Sequence, residues 1–313
     1  MSELQQFPLV SVVLTTYNGE KFLAQQIDSL LKQTYVDIEI IAVDDCSTDN
    51  SVAILNSFAE EHKNIRIVVN ESNLGYIKNF EKGCRLAEGE FIALCDQDDY
   101  WLENKIQRLM ESIGDYPMIY CDSIVCDENL DEIASTISSR VHYTSLDNCL
   151  QLAIFCRING HAILLRKSLF VATGPFLEVI PHDWWISYNA LLNGGIKYLD
   201  EPLTLYRQHS TNACGVVGGK SKKDILSNEL RKKMEIDKIR TRINYFYEKC
   251  PADRVKEKNV LAILVKCYSS FSLLNNFNRM LLFFKYHQTL LFVKGRSLIR
   301  QYLFCLKMFV MIK

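Results

Sequence analysis

In the first third of the chain, short β-branched apolar runs alternate with longer stretches in which apolar residues recur three and four positions apart. That alternation predicts parallel strands covered by helices. Leu9 to Leu14 predicts a strand, Glu20 to Gln33 an amphipathic helix carrying Phe22, Leu23, Ile27, Leu30 and Leu31, and Ile38 to Val43 a second strand. Asp49 to Glu61 predicts helix, Ile65 to Val69 strand, Tyr76 to Ala87 helix, and Phe91 to Leu94 the next strand. In open α/β sheets, ligands gather at the carboxyl ends of the strands. The segments that follow the runs are Thr15 to Asn18, Asp44 to Asp49, Asn70 to Gly75 and Asp96 to Asp99, all of them polar. From Ile225 onward the pattern is helical.

At 313 residues, 48% apolar and 23% charged, the chain can hold one large domain plus an appendage. The expected division is an α/β domain over residues 1–215 and a helical, basic region over 216–313. A net charge of -1 argues against nucleic acid as a partner. The 11 cysteines are scattered, with no apolar leader before them, which predicts free thiols in a reducing, cytoplasmic setting. No Cys/His set has zinc spacing.

The chemistry concentrates in Cys95-Asp96-Gln97-Asp98-Asp99-Tyr100-Trp101, which puts three carboxylates directly after an apolar run. Like charges this close need a cation or tight hydrogen bonding. Mg²⁺ and Mn²⁺ commonly reach a protein through one or two carboxylates plus substrate phosphates, so the cluster suggests a diphosphate site. Taken singly, each polar segment also has a plain reading: Ser47 or Asp49 as a helix cap, Asn18-Gly19 as a turn, the acidic run as a solvated loop. Neither GxGxxG after the first strand nor a Walker A lysine motif is present, which argues against a dinucleotide dehydrogenase or a P-loop enzyme.

The segments VSVVLTTYNGEKFLAQQIDSLLKQTY, IIAVDDCSTDNS, NESNLGYIKN, GEFIALCDQDDYWLENKI and HDWW resemble the inverting family 2 glycosyltransferases of GT-A fold. The resemblance runs in order from about Leu9 to about Asn212. It implies a GT-A, Rossmann-like and mostly parallel α/β sheet flanked by helices, followed by an α-helical C-terminal region. It also implies a nucleotide-sugar site with Thr15 and Tyr17 at the nucleoside and Asp45 accepting the N3–H of a pyrimidine. An ionised carboxylate only accepts, which suits uracil or thymine rather than cytosine. Lys78 is implied at phosphate or sugar, against a plain solvated helix lysine, and Gln97 is grouped with the donor site. Asp96 and Asp98 match the metal-diphosphate motif for Mg²⁺ or Mn²⁺, and Asp99 is implied to orient the donor sugar.

Asp183 is implied as the general base that takes the acceptor hydroxyl's proton, a position that also fits a helix N-cap. His182 departs from the acidic residue usual before it. Trp184 and Trp185 could form a sugar platform, with one of them facing the core at helical spacing. Arg207 is typed for diphosphate and His209 for metal. His161 lies in the stretch that faces the acceptor in the family, with a structural role equally open.

CDQDDYW, HDWW and YRQH together look most like the bacterial rhamnosyltransferase branch. That resemblance implies dTDP-L-rhamnose as donor and a growing cell-surface polysaccharide such as O-antigen, on a polyprenyl-diphosphate-linked acceptor; a UDP-hexose donor stays open. Two other readings compete. A nucleotidyltransferase is disfavoured by the lack of a glycine-rich basic loop near the N-terminus. A catalytically silent sugar-nucleotide or glycan scaffold is disfavoured by intact Asp96, Asp98 and Asp183.

Gly215 to Lys223 is glycine-rich and basic, and is expected to form a loop that closes over the donor. Beyond Glu257 no acidic residue follows, while Lys258, Lys266, Arg279, Lys285, Lys294, Arg296, Arg300, Lys307 and Lys313 are basic. Leu298, Ile299, Tyr302, Leu303, Leu306, Phe309 and Val310 recur at helical spacing, and no stretch is long enough to span a bilayer. The expected partner is an anionic bilayer, the cytoplasmic face of the inner membrane. The alternative is packing on the catalytic domain or on a second copy in a homodimer.

Overall fold

The computed structural model describes residues 8–210, 228–292 and 297–310. Strands β1 (Val10–Thr16), β2 (Ile38–Asp44), β3 (Ile65–Val69) and β4 (Phe91–Asp96) alternate with helices α1 (Leu23–Leu31), α2 (Ser51–Glu61) and α3 (Tyr76–Leu86). β1 lies parallel between β2 and β4, and β3 extends the sheet beyond β2. Val12, Val13, Leu14, Ile41, Ala42, Val43, Ile92, Ala93 and Leu94 are all fully buried. Burial on both faces explains why these strands read as continuous apolar runs rather than as alternation. Helix α3 packs so closely on β1 that a side chain at Gly83 would run into Val13.

The register decides what the sheet presents. Thr15 pairs with Val43 on one side and Asp96 on the other, and Thr16 pairs with Asp44. The polar residues that follow three separate apolar runs therefore end in one row.

The second half of the domain supplies β5 (Tyr100–Trp101), α4 (Lys105–Ser112), β6 (Met118–Cys126), β7 (Glu132–Thr136), β8 (Ile163–Arg166), α5 (Lys167–Thr173), α6 (His182–Leu192) and β9 (Lys197–Arg207). The sheet runs β3-β2-β1-β4-β8-β6-β9-β5, with β7 on β6. β8 is antiparallel to β4 and β6, while β9 runs parallel to β6 and antiparallel to β5. The expected α/β class is borne out, with antiparallel strands that the sequence pattern did not announce.

Helices α7 (Asn228–Lys249), α8 (Val255–Ser269), α9 (Leu273–Leu290) and α10 (Leu298–Val310) bear out the helical C-terminal region. Phe246 on α7 stacks on Tyr188 of α6 at 3.8 Å, and the Tyr188 hydroxyl donates to the Phe246 carbonyl at 2.8 Å. Asn148 Nδ2 donates to Glu257 Oε1 at 3.0 Å, so α8 also docks on the α/β domain. The alternative of helical packing on the α/β domain thus holds for α7 and α8, and α10 joins them where Phe304 meets Phe155 at 5.8 Å. The Gly215–Lys223 stretch and its expected closure lie outside the described residues. No described helix is long and apolar enough to cross a membrane.

Candidate active site

At the carboxyl end of β1 the chain turns sharply, and Asn18 adopts a positive φ of 49°. Its side-chain oxygen accepts the Thr48 amide at 2.9 Å, tying the turn to the loop after β2. Gln97 ties the same turn to the loop after β4. Its Oε1 accepts from Thr16 Oγ1 at 2.7 Å and from the Tyr17 amide at 2.8 Å, and its Nε2 donates to the Tyr17 carbonyl at 3.2 Å. A side chain at Gly19 would collide with that amide. Thr15 is buried in the row, and Tyr17 leans into solvent with 48% of its surface exposed.

Asp45 is buried and well supplied with donors. Oδ1 accepts from the Leu74 amide and from Asn70 Nδ2, each at 2.8 Å, and Oδ2 accepts from the Gly75 amide at 2.9 Å. Gly75 has φ 80°, a conformation that favours glycine, and it opens α3 at this point.

β4 delivers Asp96, 40% of whose side chain is exposed, while Asp99 three residues further on is wholly buried. His161, on the short turn Gly160–Ala162, places Nδ1 3.3 Å from Asp99 Oδ2 and 3.9 Å from Asp96 Oδ2. Its Nε2 lies 2.9 Å from Ser123 Oγ. Asp96, Asp99 and His161 each offer a ligand atom, all within 4.8 Å of one another. Partial desolvation between the loops, followed by repulsion from Asp98 and from Asp183, raises the Asp96 carboxyl. Burial, then Asp98 and Asp96, raises Asp99 well above the usual carboxylate range. His161 is pushed down to about 3, by burial first and by Lys105 second, so the imidazole is neutral.

Beneath this group lies a buried ammonium. Lys105 Nζ donates to the His161 carbonyl at 2.6 Å and to Thr204 Oγ1 at 2.8 Å, and sits 3.5 Å from the centre of the Trp101 ring. Burial lowers its pKa to about 8. Lys105 and the Arg207 guanidinium are two cations against the three carboxylates of Asp96, Asp98 and Asp99. Asp99 Oδ2 is buried without a hydrogen-bond partner. Both observations fit a divalent cation: two carboxylates and a neutral imidazole are an O/O/N donor set suited to Mn²⁺ or Mg²⁺.

Asp98 faces another way. Its Oδ2 lies 2.8 Å from His209 Nε2, joining residues 111 positions apart. Arg207, at the end of β9, is 1% exposed. Its Nε donates to the Asp98 carbonyl at 2.7 Å, one terminal nitrogen donates to Gln25 Oε1 at 2.6 Å and the other to the Glu128 carbonyl. Its amide donates to Asp99 Oδ1 at 3.1 Å. The guanidinium braces the acidic loop from behind.

Helix α6 opens with His182-Asp183 after Pro181. The Asp183 carboxyl is pushed up to about 6 by burial, against an opposing hydrogen bond from the Trp184 amide at 2.7 Å. Its charge is felt at Asp96, which places the two carboxyls in one electrostatic neighbourhood. His182 is buried, stacked on Phe80 at 4.2 Å, and neither ring nitrogen has a hydrogen-bond partner.

Several expected contacts are redirected. Trp185 is 4% exposed and stacked on Phe246 at 6.2 Å, so it serves the core and not a sugar platform. Trp184 donates to the Leu152 carbonyl and lies under the Arg242 guanidinium at 3.8 Å. His161 is 2% exposed, beneath the carboxylates and not on an open acceptor face. Lys78 is held by Glu81 at 2.8 Å and by the Phe176 carbonyl at 2.7 Å, and Arg207 by the carbonyls above. Expected metal ligands Asp96, Asp98 and His209 fall into two groups, Asp96 with Asp99 and His161, and Asp98 with His209. Lys105 and Ser123 escaped the sequence reading. A lysine beside the buried Ile106 was a signal for the first; Ser123, inside a strand, gave none.

The family model described as "Glycosyl transferase family 2" matches residues 11–170. An uncharacterized glycosyltransferase from Nostoc sp. is 30% identical over 211 residues, covering 65% of this chain and 66% of that protein. One from Haemophilus influenzae is 26% identical over 276 residues, covering 83% and 81%. The putative teichuronic acid biosynthesis glycosyltransferase TuaG of Bacillus subtilis is 35% identical over 104 residues, 33% of this chain and 41% of that one. Among solved structures, S. aureus TarS 1-349 in complex with UDP-GlcNAc aligns with TM-score 0.60 at 19% identity, covering 97% of this chain and 81% of that one. The mannosyltransferase PcManGT of Pyrobaculum calidifontis, in complex with GDP-Man and Mn²⁺, aligns with TM-score 0.54 at 14% identity, covering 96% and 80%.

Proposed function

The chain belongs to glycosyl transferase family 2 and has the GT-A fold of its structural neighbours, and from that premise we propose an inverting sugar transfer from a nucleotide sugar to a glycan hydroxyl. The observation that carries the reading is the strand-end group of Asp96, Asp99 and His161, whose ligand atoms lie within 4.8 Å of one another, with Asp183 in the first turn of α6 beside Gly160 and its carboxyl pushed up to about 6 by burial. A base with that pKa is ionised at neutral pH yet basic enough to accept a proton as it leaves. In one displacement, the acceptor oxygen attacks the anomeric carbon, its proton passes to Asp183, and the bond to the nucleoside diphosphate breaks. The sugar inverts and no covalent enzyme intermediate forms. Asp96, Asp99 and His161, with Asp98 and His209 beside them, would hold the Mg²⁺ or Mn²⁺. That ion would neutralise charge on the leaving diphosphate. Arg207 and Lys105 keep the acidic loop in shape.

The base is read at Asp45. A carboxylate offers about four acceptor positions, and three are taken by Asn70, Leu74 and Gly75. One remaining position satisfies the single N3–H of uracil or thymine, whereas guanine presents two adjacent donors and is half matched. The donor carried forward is dTDP-L-rhamnose, with cell-surface polysaccharide on a polyprenyl diphosphate as acceptor. A UDP-hexose is the second reading, favoured by the UDP-GlcNAc bound in the TarS complex.

The test is a melting-temperature panel of dTDP, UDP, GDP and CDP, each with and without Mn²⁺, on the wild type and on Asp96→Ala, which removes a carboxylate of the candidate cation group. A ligand that binds only the folded state raises the melting temperature. The expected result is a Mn²⁺-dependent shift with dTDP, smaller with GDP and CDP, and lost in Asp96→Ala. A shift with UDP alone discards rhamnose and keeps the transferase. No shift with any nucleotide overturns the proposal.

A further inference from the structure

The two C-terminal helices each carry a row of apolar residues that the α/β domain does not cover. On α10, Leu298, Ile299, Tyr302, Leu303 and Leu306 are exposed, at 43 to 73% of their surface. Their spacing puts them on one face of the helix, with Met308 turned away from it and Cys305 at its border, both buried against the rest of the region. On α9, Leu274, Phe277 and Leu281 form a second exposed stripe, and Lys285 continues it one turn further on. Arg300 and Lys307, seven residues apart, line one edge of the α10 face and are both exposed.

The apolar face is built to stay exposed while its helices are held firmly. Arg279, wholly buried, donates to the Cys267 carbonyl at 2.8 Å and to the Met308 carbonyl at 3.0 Å, joining α8, α9 and α10. An exposed apolar face of this kind marks a contact surface.

We propose that this face docks on an anionic lipid bilayer, lying in the interface with its apolar residues inserted and its cations at the headgroups. Charge selects the occupant. No acidic residue follows Glu257, so every charged side chain that α9 and α10 themselves carry is a cation. A second copy packed by two-fold symmetry would set the same cation-edged surface against itself. No described helix is long and apolar enough to cross a bilayer, and the attachment proposed is to one leaflet. The inference is independent of the donor and of the base, and it holds or fails without reference to the transfer reaction.

Flotation of the full-length protein with vesicles tests it. The wild type is expected to float with vesicles of equal phosphatidylglycerol and phosphatidylcholine, and to stay at the bottom with phosphatidylcholine alone. Arg300→Gln with Lys307→Gln is expected to lower partitioning about 25-fold, roughly fivefold for each cation removed. Ile299→Glu with Leu303→Glu is expected to abolish flotation. Both positions are exposed, so a melting temperature equal to wild type is expected and confirms that the fold is kept. Wild type that fails to float, or a glutamate variant that floats as well as wild type, overturns the proposal. So does a wild-type dimer in light scattering that the glutamate variant dissociates while flotation is unchanged.

Discussion

Asp183 is a single carboxyl whose environment sets two measurable properties. Its folded pKa of about 6 stands above the ordinary value of 3.8. Between those values the folded protein keeps a proton that the unfolded chain has released, so stability falls as pH rises through the window and stays lower above it. Asp183→Asn removes that loss. In EDTA, the variant is expected to melt above the wild type at pH 8 and to converge with it below pH 4. Its transfer rate is expected to fall by about 10² or more, with nucleotide binding retained. A variant with wild-type turnover and an activity limb still rising near pH 6 removes Asp183 as the base. Residue types were legible here from the sequence alone: HDWW named the carboxyl, CDQDD the acidic cluster. What each side chain points at was not legible. Lys78 and Arg207 have the right charge for a diphosphate, yet Glu81 and backbone carbonyls hold them.

Among the elements, the parallel half followed the sequence closely because its signal is local. β3 runs Ile65–Val69 as expected, and β4 starts at Phe91 and runs two residues past Leu94 to Asp96. Helix α1 begins at Leu23 and not Glu20, because Gly19 to Phe22 form a turn. The antiparallel strands gave no such signal. β8 is four residues long, β6 carries Asp122 and Ser123 in its middle, and β9 contains Pro202. Their pairing is decided by partners distant in sequence. β9 nevertheless carries the brace of the site, and that makes Arg207 testable. Arg207→Leu strands the buried carbonyl of Asp98 and is expected to lower stability by about 2–4 kcal/mol. Arg207→Lys is expected to recover little, since one ammonium cannot reach three separated acceptors. Chemical denaturation measures both; a Leu variant within ~0.5 kcal/mol of wild type rejects the bracing role.

The whole molecule joins its site from distant parts of the chain. Asp98 meets His209 across 111 positions, Lys105 meets Thr204 across 99, and Arg207 meets Gln25 across 182. The parallel strands β1 to β4 can assemble from the first hundred or so residues, but the support under their acidic rim arrives only with β9. Closing such long loops is slow compared with forming local helices, so order of assembly follows sequence separation. On dilution from denaturant, far-ultraviolet ellipticity is therefore expected to recover before the Mn²⁺-dependent nucleotide shift does; simultaneous recovery would reject that order. The same distance acts during synthesis. A ribosome that has released β4 exposes three crowded carboxylates with no histidine and no arginine behind them, and the nascent chain carries that repulsion until the last strand of the sheet emerges.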